Sequence, residues 1–502
     1  MTKIFEGLKP FQKAEFLIML LLAVAIPFSW LAAQYCEVAL LICAVLKVIF
    51  EQKFQLNEKQ LQWRWVYIIF MLTWLVYLVG MIYSDNTSAG WAQVSKKLGF
   101  LIFPLIFLFS DMSYLTKERY KAIGYALVVG CVLFFFMNLF HAIYDVIFNG
   151  ATVKRFFNDG FMKLYYVHHS YLAMYAGLAM VFCASEFVKC KSLKIKVINI
   201  VAFACMLIFT ILVESRAGLL CLLLIIITLW AWLTFVMKKT KAGFISGMML
   251  LVTVIFIFIA YPRIFVRITN TVETIVSENK TDRRIVQIRG CESVLRENWL
   301  SGVGTGDRES TSLQAYSYYI EEIKSKIVPV EGVDNEIFTK GRDQLLKKLD
   351  ELTDVGDKWN EPKQEAFDFI EKEAVSYGCE PKSVESVLTE YIYANDAIDH
   401  KLNLHNQYLD TLYEVGIAGL LLLLALFITP ILAMRRKRHF DVVCVCFILI
   451  IAFNSIFESI LETQKGIIFF SFFNMLIFNN LIIENESKKI DKCAIDSDIV
   501  CD

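Results

Sequence analysis

Charge is scarce in this chain. Lys, Arg, Asp and Glu make up only 20% of its 502 residues, against 57% hydrophobic residues, and the mean hydropathy is +0.53. A soluble domain of this size is less apolar, which excludes a soluble enzyme or binding module. Net charge is missing as well, because 50 basic residues balance 50 acidic ones. The information lies in where the charges fall, and no nucleic-acid partner is expected. A disulfide framework is also missing. Most of the 13 cysteines, such as Cys43, Cys131, Cys205, Cys221, Cys444 and Cys446, lie in apolar runs, where the thiol serves as a small apolar group. Only Cys291 and Cys379 fall in a polar external segment, where an oxidising compartment would let them bridge. The chain has no CxxC pair and no metal-spaced His/Cys cluster, so no metal is expected. Gly302, Gly304 and Gly306 precede Asp307 in ENWLSGVGTGD without a strand–turn–helix unit around them, which argues against a dinucleotide fingerprint. The N-terminal apolar run lacks a small-residue cleavage site and a second run follows at once, so it is not a cleaved signal.

What is present is a series of apolar runs long enough to cross a bilayer. Length and hydropathy predict about twelve spans, near 14–33, 36–50, 66–84, 99–111, 121–143, 170–188, 196–213, 217–237, 243–261, 414–434, 440–457 and 466–483. Basic residues cluster at Lys3/Lys9/Lys13, Lys53/Lys59/Arg64, Lys117/Arg119/Lys121, Lys189/Lys191/Lys194/Lys196, Lys238/Lys239/Lys241 and Arg435/Arg436/Lys437/Arg438. All fall on one side of the twelve-span arrangement, which makes that side the cytoplasm and both termini cytoplasmic. The predicted fold is an all-α polytopic membrane protein of about twelve transmembrane helices, with a large helical extracytoplasmic loop between helices 9 and 10. It divides into an N-terminal bundle (1–261), a loop domain (262–413), closing helices (414–484) and a cytoplasmic tail (485–502). Within the loop, the stretch 315–400 spaces Leu345, Leu346, Leu349, Leu352, Phe367 and Ile370 among many charges. It predicts helices on or above the membrane, and a solvated insertion without chemistry is its plain reading.

The organising stretch is HNQYLDTLYEVGIAG, from His405 to Gly419. His405, Leu409, Leu412, Gly416 and Gly419 recur at helical spacing and predict one face of a helix that dives into the membrane. Histidine suits proton transfer near neutral pH. Arg216, in VESRAG beside Glu214, is a charge at membrane depth that either snorkels or faces an anion; a guanidinium suits phosphate. Arg283, Arg284 and Arg289 form a second basic group, and the glycine turn after it would expose amides to an oxyanion. His168 and His169 sit among Tyr165, Tyr166 and Tyr171 at the mouth of the sixth span, where they would meet a sugar or phosphate; the tyrosines alone fit an interfacial belt. His141 is the weakest of the histidines. All these candidates face one side, and no internal repeat is visible. That favours an enzyme acting at the outer leaflet over a transporter with polar groups at the midplane.

In this order, SRAG, DRRI with NWLSGVGTGD, and HNQYLDTLYEVGIAG resemble the O-antigen ligase and O-antigen polymerase superfamily, which includes membrane oligosaccharyltransferases acting on proteins. The resemblance implies a C-type glycosyltransferase fold in a bacterial inner membrane, without cofactor or metal. It implies a glycan donor on undecaprenyl pyrophosphate, an acceptor such as lipid A–core, and a site facing the periplasm. Carried over by motif, Arg216, Arg284 and His405 are catalytic: the arginines would grip pyrophosphate and His405 would act as base or position the donor. Arg283, Arg289, His168, His169, Gly304, Asp307 and Asn406 would bind substrate. Direct displacement at the sugar would invert the anomeric centre. Two features depart from the family pattern. The insertion near 315–400 is long, and Gln287 and Gly290 stand where a tryptophan and a helix former are expected, which blurs the register among the three arginines. Ligase, polymerase and protein transferase remain open, as does a flippase or exporter of the same lipid-linked glycan.

Overall fold

The structure, a computed structural model, describes residues 2–51, 58–164, 167–238, 247–248, 282–353, 364–438 and 440–498. Among the described residues there is no strand, only an isolated bridge between Pro329 and Cys379. Seven described helices are long and apolar enough to span a bilayer: Trp30–Glu51, Lys117–Phe148, His169–Lys189, Leu193–Leu212, Ala217–Val236, Gln407–Lys437 and Gln464–Ile482. The pair Thr87–Lys96 and Gly99–Phe109, bent by 41°, makes an eighth if it is one span. Arg64–Gly80 and Val442–Phe457 are apolar but shorter. The chain is thus a polytopic α-helical membrane protein. The expected span 243–261 lies outside the described residues except for Gly247 and Met248.

The first two spans are redrawn by the structure. Instead of 14–33 and 36–50, the helices are Pro10–Ala25 and Trp30–Glu51. The corner between them holds Pro27, which has no amide to continue the ladder and whose ring crowds the preceding turn. Apolar sequence on both sides of the proline hides this corner from a hydropathy reading.

The chain divides into two compact units. The first, residues 1–77, 92–256 and 421–502, holds most of the apolar helices. His169–Lys189 and Gln464–Ile482 are enclosed within it, with 83% and 94% of their spanning windows buried; helices apolar on every side belong in such positions. Phe70, Phe100, Phe427 and Phe447 surround Phe470 with ring centroids 5.7, 6.3, 5.8 and 6.0 Å away. Two buried lysines in this unit are paired with carboxylates, as burial favours. Lys47 meets Glu15 at 3.2 Å and Lys97 meets Glu462 at 2.6 Å.

The second unit comprises residues 78–91 and 257–420. Its described helices include Arg283–Gly290, Arg308–Ser325, Asn335–Thr353, Gln364–Glu373 and Pro381–Asp399. The charged stretch is a packed domain with a core of its own. Leu345, Leu346, Leu349 and Ile370 are buried with Ile323, Val384, Leu388 and Ile392, and Phe367 packs on the edge. The helical spacing of those apolar residues is what folds it. Cys291 and Cys379 do not bridge. They are free, fully buried thiols in separate hydrophobic clusters. Burial pushes the Cys291 thiol up to about 12 and the Cys379 thiol up to about 11. Both act as small core residues.

Candidate active site

The stretch that follows His405 is a helix with a break in it. Gln407–Lys437 is interrupted at Val415 (φ −129°, ψ 16°) and Gly416 (φ 67°, ψ −165°). In an unbroken helix the Ile417 amide would bond to the Tyr413 carbonyl. Here a loop takes both groups. Ile417 N–H donates to the Trp299 carbonyl at 2.9 Å, and the Tyr413 carbonyl accepts from Val303 N–H at 2.8 Å. The Glu414 carbonyl accepts from Gly304 N–H at 3.0 Å. The groups orphaned by the break are therefore satisfied.

This explains the glycine turn. A Cβ on Gly302 would lie 2.5 Å from the Glu414 carbonyl, and one on Gly416 would lie 2.3 Å from the Leu300 carbonyl. The two backbones touch because both positions lack a side chain. The other amides of the turn are also committed inside the protein. Gly302 donates to Asn298 O, Thr305 to Gly80 O and Asp307 to Gly304 O, while Gly306 donates to Ser84 Oγ. The expected display of amides from Gly304 to an oxyanion is replaced by a clamp on the broken helix. Asp307 belongs to the same clamp: its carboxylate accepts from the amides of Asp85 and Asn86 at 2.7 and 2.8 Å.

His405 is not on the helix face that its spacing predicts. It precedes the helix with φ +46°, and its amide donates to Asn403 Oδ1 at 3.1 Å. Asn406 caps the helix, with Oδ1 accepting from Tyr408 and Leu409 N–H at 3.0 and 3.1 Å. The physical reason is capping: an asparagine satisfies the first amides better from just outside the helix than within it. Asp410 is buried behind this loop. It accepts from Leu404 N–H at 3.4 Å and meets Arg308 at 3.6 Å. The sequence reading missed Asp410 and Arg308. The only local signals are a carboxylate five residues after His405 and an arginine directly after Asp307.

Two of the three arginines meet partners far along the chain. Asp282 caps Arg283–Gly290 by accepting from Arg284 N–H at 2.9 Å. Arg283 pairs with Asp396 at 3.2 Å and stacks over Tyr393 at 4.8 Å. Arg289 meets Glu390 at 2.7 Å. Arg284, half-buried, lies about 100° around the helix from Arg283. Gly290 also finds its reason: a Cβ there would sit 2.6 Å from the Tyr316 ring.

Burial raises the Asp396 carboxyl above its ordinary value, and Arg283 pulls it back down. A raised value in the folded state means that the native protein binds the proton more tightly. Stability contributed by that group then falls as pH rises through the carboxylate range. Arg283→Ala enlarges the shift. It should cost about 2 kcal/mol near neutrality, an intermediate figure for a partly exposed partner of a buried charge. The melting-temperature deficit should narrow when measured near pH 4.5 instead of near pH 7. A deficit independent of pH would assign the loss to the Tyr393 stack instead.

In the first unit, Arg216 opens the helix Arg216–Ala231, whose cap is Ser215 Oγ accepting from Gly218 N–H at 3.1 Å. The Arg216 side chain, like Tyr165 and Tyr166, lies outside the described residues. His168 precedes and His169 opens His169–Lys189, with ring centroids 4.0 Å apart. His141 contacts the Arg155 guanidinium, which also donates to Asp145 at 2.6 Å. The candidates therefore fall in two sets, Arg216 and His168/His169 in one unit, the other arginines and His405 in the second.

No curated protein matches the chain. A family model described as O-antigen ligase matches residues 201–339, a segment that contains Arg216, Arg284 and the glycine turn and stops short of His405. Through this segment the chain is similar to the O-antigen ligase family.

Proposed function

We propose that the protein transfers a glycan from undecaprenyl pyrophosphate to the lipid A–core of lipopolysaccharide at the outer face of a bacterial inner membrane. The match of residues 201–339 to the O-antigen ligase family carries this reading. An acceptor hydroxyl attacks the anomeric carbon, the bond from that carbon to the pyrophosphate oxygen breaks, and the configuration inverts. His405 takes the hydroxyl proton. Arg216 and Arg284 meet the charge that develops on the leaving pyrophosphate, a task for which a planar guanidinium fork is suited.

The test uses purified protein with undecaprenyl-pyrophosphate glycan and rough lipopolysaccharide. A glycan ladder on the lipopolysaccharide is the expected product. Growth of the glycan on its own carrier would make the protein a polymerase, and transfer to an added protein acceptor would make it a protein glycosyltransferase. Recovery of unaltered donor with every acceptor would remove transferase chemistry and leave a flippase.

A further inference from the structure

Two imidazoles and a carboxylate converge within the first unit. His168 and His169 stand at the start of His169–Lys189, with ring planes 32° apart and centroids 4.0 Å apart. Glu458 closes the helix Val442–Phe457, where its amide donates to the Asn454 carbonyl at 2.9 Å. One ligand atom from each of His168, His169 and Glu458 lies within 4.8 Å of the other two. Two nitrogens and one carboxylate oxygen suit a divalent ion of the zinc class. They do not suit magnesium or calcium, which take oxygen ligands.

We propose that His168, His169 and Glu458 bind a divalent transition ion of the zinc class, with a coordination position left for water. The surroundings hold the three residues in place, as a metal site requires. Tyr171 Oη donates to the Ile460 carbonyl at 3.4 Å and accepts from Thr463 Oγ1 at 2.8 Å. Lys97 donates to the Leu461 carbonyl at 2.9 Å and pairs with Glu462 at 2.6 Å. The turn after Glu458 is thus tied on both flanks, and Glu462 is committed to Lys97. The ion ties the end of one helix to the start of another and takes no part in moving the glycan. Spacing along the chain misses this site because its third ligand comes from a distant helix end.

The experiment uses full-length protein in detergent, purified without a histidine tag, stripped with chelator and titrated with zinc chloride. About one zinc per chain should remain after gel filtration, and the melting temperature should rise by several degrees through mass action. Magnesium should produce neither effect. Glu458→Gln, which keeps shape and removes the charge, and His169→Ala should each lose the bound zinc, while His400→Ala should keep it. Cobalt offers a second readout on the wild type, as visible absorption from an imidazole-ligated ion. Wild type that binds no stoichiometric zinc, zinc retained by Glu458→Gln, or cobalt without such absorption would each overturn the proposal. Glycan transfer is not among these readouts, so the metal site and the transferase reading succeed or fail separately.

Discussion

His405→Asn should abolish glycan transfer while leaving the protein folded. The choice of asparagine follows from the backbone. His405 has φ +46°, a left-handed conformation that asparagine tolerates and that costs alanine roughly 1 kcal/mol. His405→Ala therefore mixes a backbone penalty with loss of the imidazole. His405→Asn removes only the proton acceptor. Loss of a general base costs about 10²–10⁴-fold in rate, so both variants should fall by that factor in turnover of lipid-linked glycan. Only the alanine variant should also melt earlier. Asp410→Asn tests how His405 is held. Asp410 anchors Leu404 N–H and meets Arg308, so its loss should lower turnover by a smaller factor, with the histidine chemistry intact. Full turnover in His405→Asn would sink the base role even with the family assignment standing.

Much of this was legible in the sequence, and the remainder fails for identifiable reasons. Hydropathy and length reveal an apolar helical bundle because a bilayer imposes both. They do not reveal the corner at Pro27, since sequence on both sides of it is equally apolar. Periodicity predicts helices carrying Leu345, Leu346, Leu349 and Ile370, and the structure adds that these residues share a core of their own. The same periodicity puts His405 on a helix, because the spacing runs on past the Asn406 cap at which the helix starts. The glycine turn is legible as a backbone turn with amides to offer. That three of those amides go to carbonyls of a broken helix and of the segment at Gly80 depends on residues more than a hundred positions away. Arg283, Arg284 and Arg289 are indistinguishable by pattern, and the partners of Arg283 and Arg289, Asp396 and Glu390, lie on a distant helix. Tertiary partners decide what local pattern leaves open.

Gly416→Ala should unfold or strongly destabilise the protein, and Gly419→Ala, three residues on, should not. The two glycines look equivalent in the sequence, where both fall on the same predicted helix face. In the structure Gly416 has φ +67° and ψ −165°, a region open essentially to glycine alone, which costs other residues about 1–3 kcal/mol. Steric conflict adds to that. A Cβ on Gly416 meets backbone atoms of Leu300 and Ser301 at 2.3–2.6 Å, and backbone already joined by hydrogen bonds cannot move aside cheaply. Together these place the loss near or above ~4 kcal/mol, in the range reserved for named structural failures. Gly302→Ala should match it, because the contact is reciprocal. At Gly419 the nearest atom to an added Cβ is Val415 Cγ2 at 2.3 Å, a side-chain methyl and not backbone; the valine must turn about χ1 to make room, a smaller cost that the gain of about 1 kcal/mol in helix propensity partly offsets. Thermal unfolding in detergent, followed by tryptophan fluorescence, measures all three. If Gly416→Ala melts with the wild type, then the loop from Trp299 to Gly304 does not hold the helix open, and the local frame behind His405 must be redrawn.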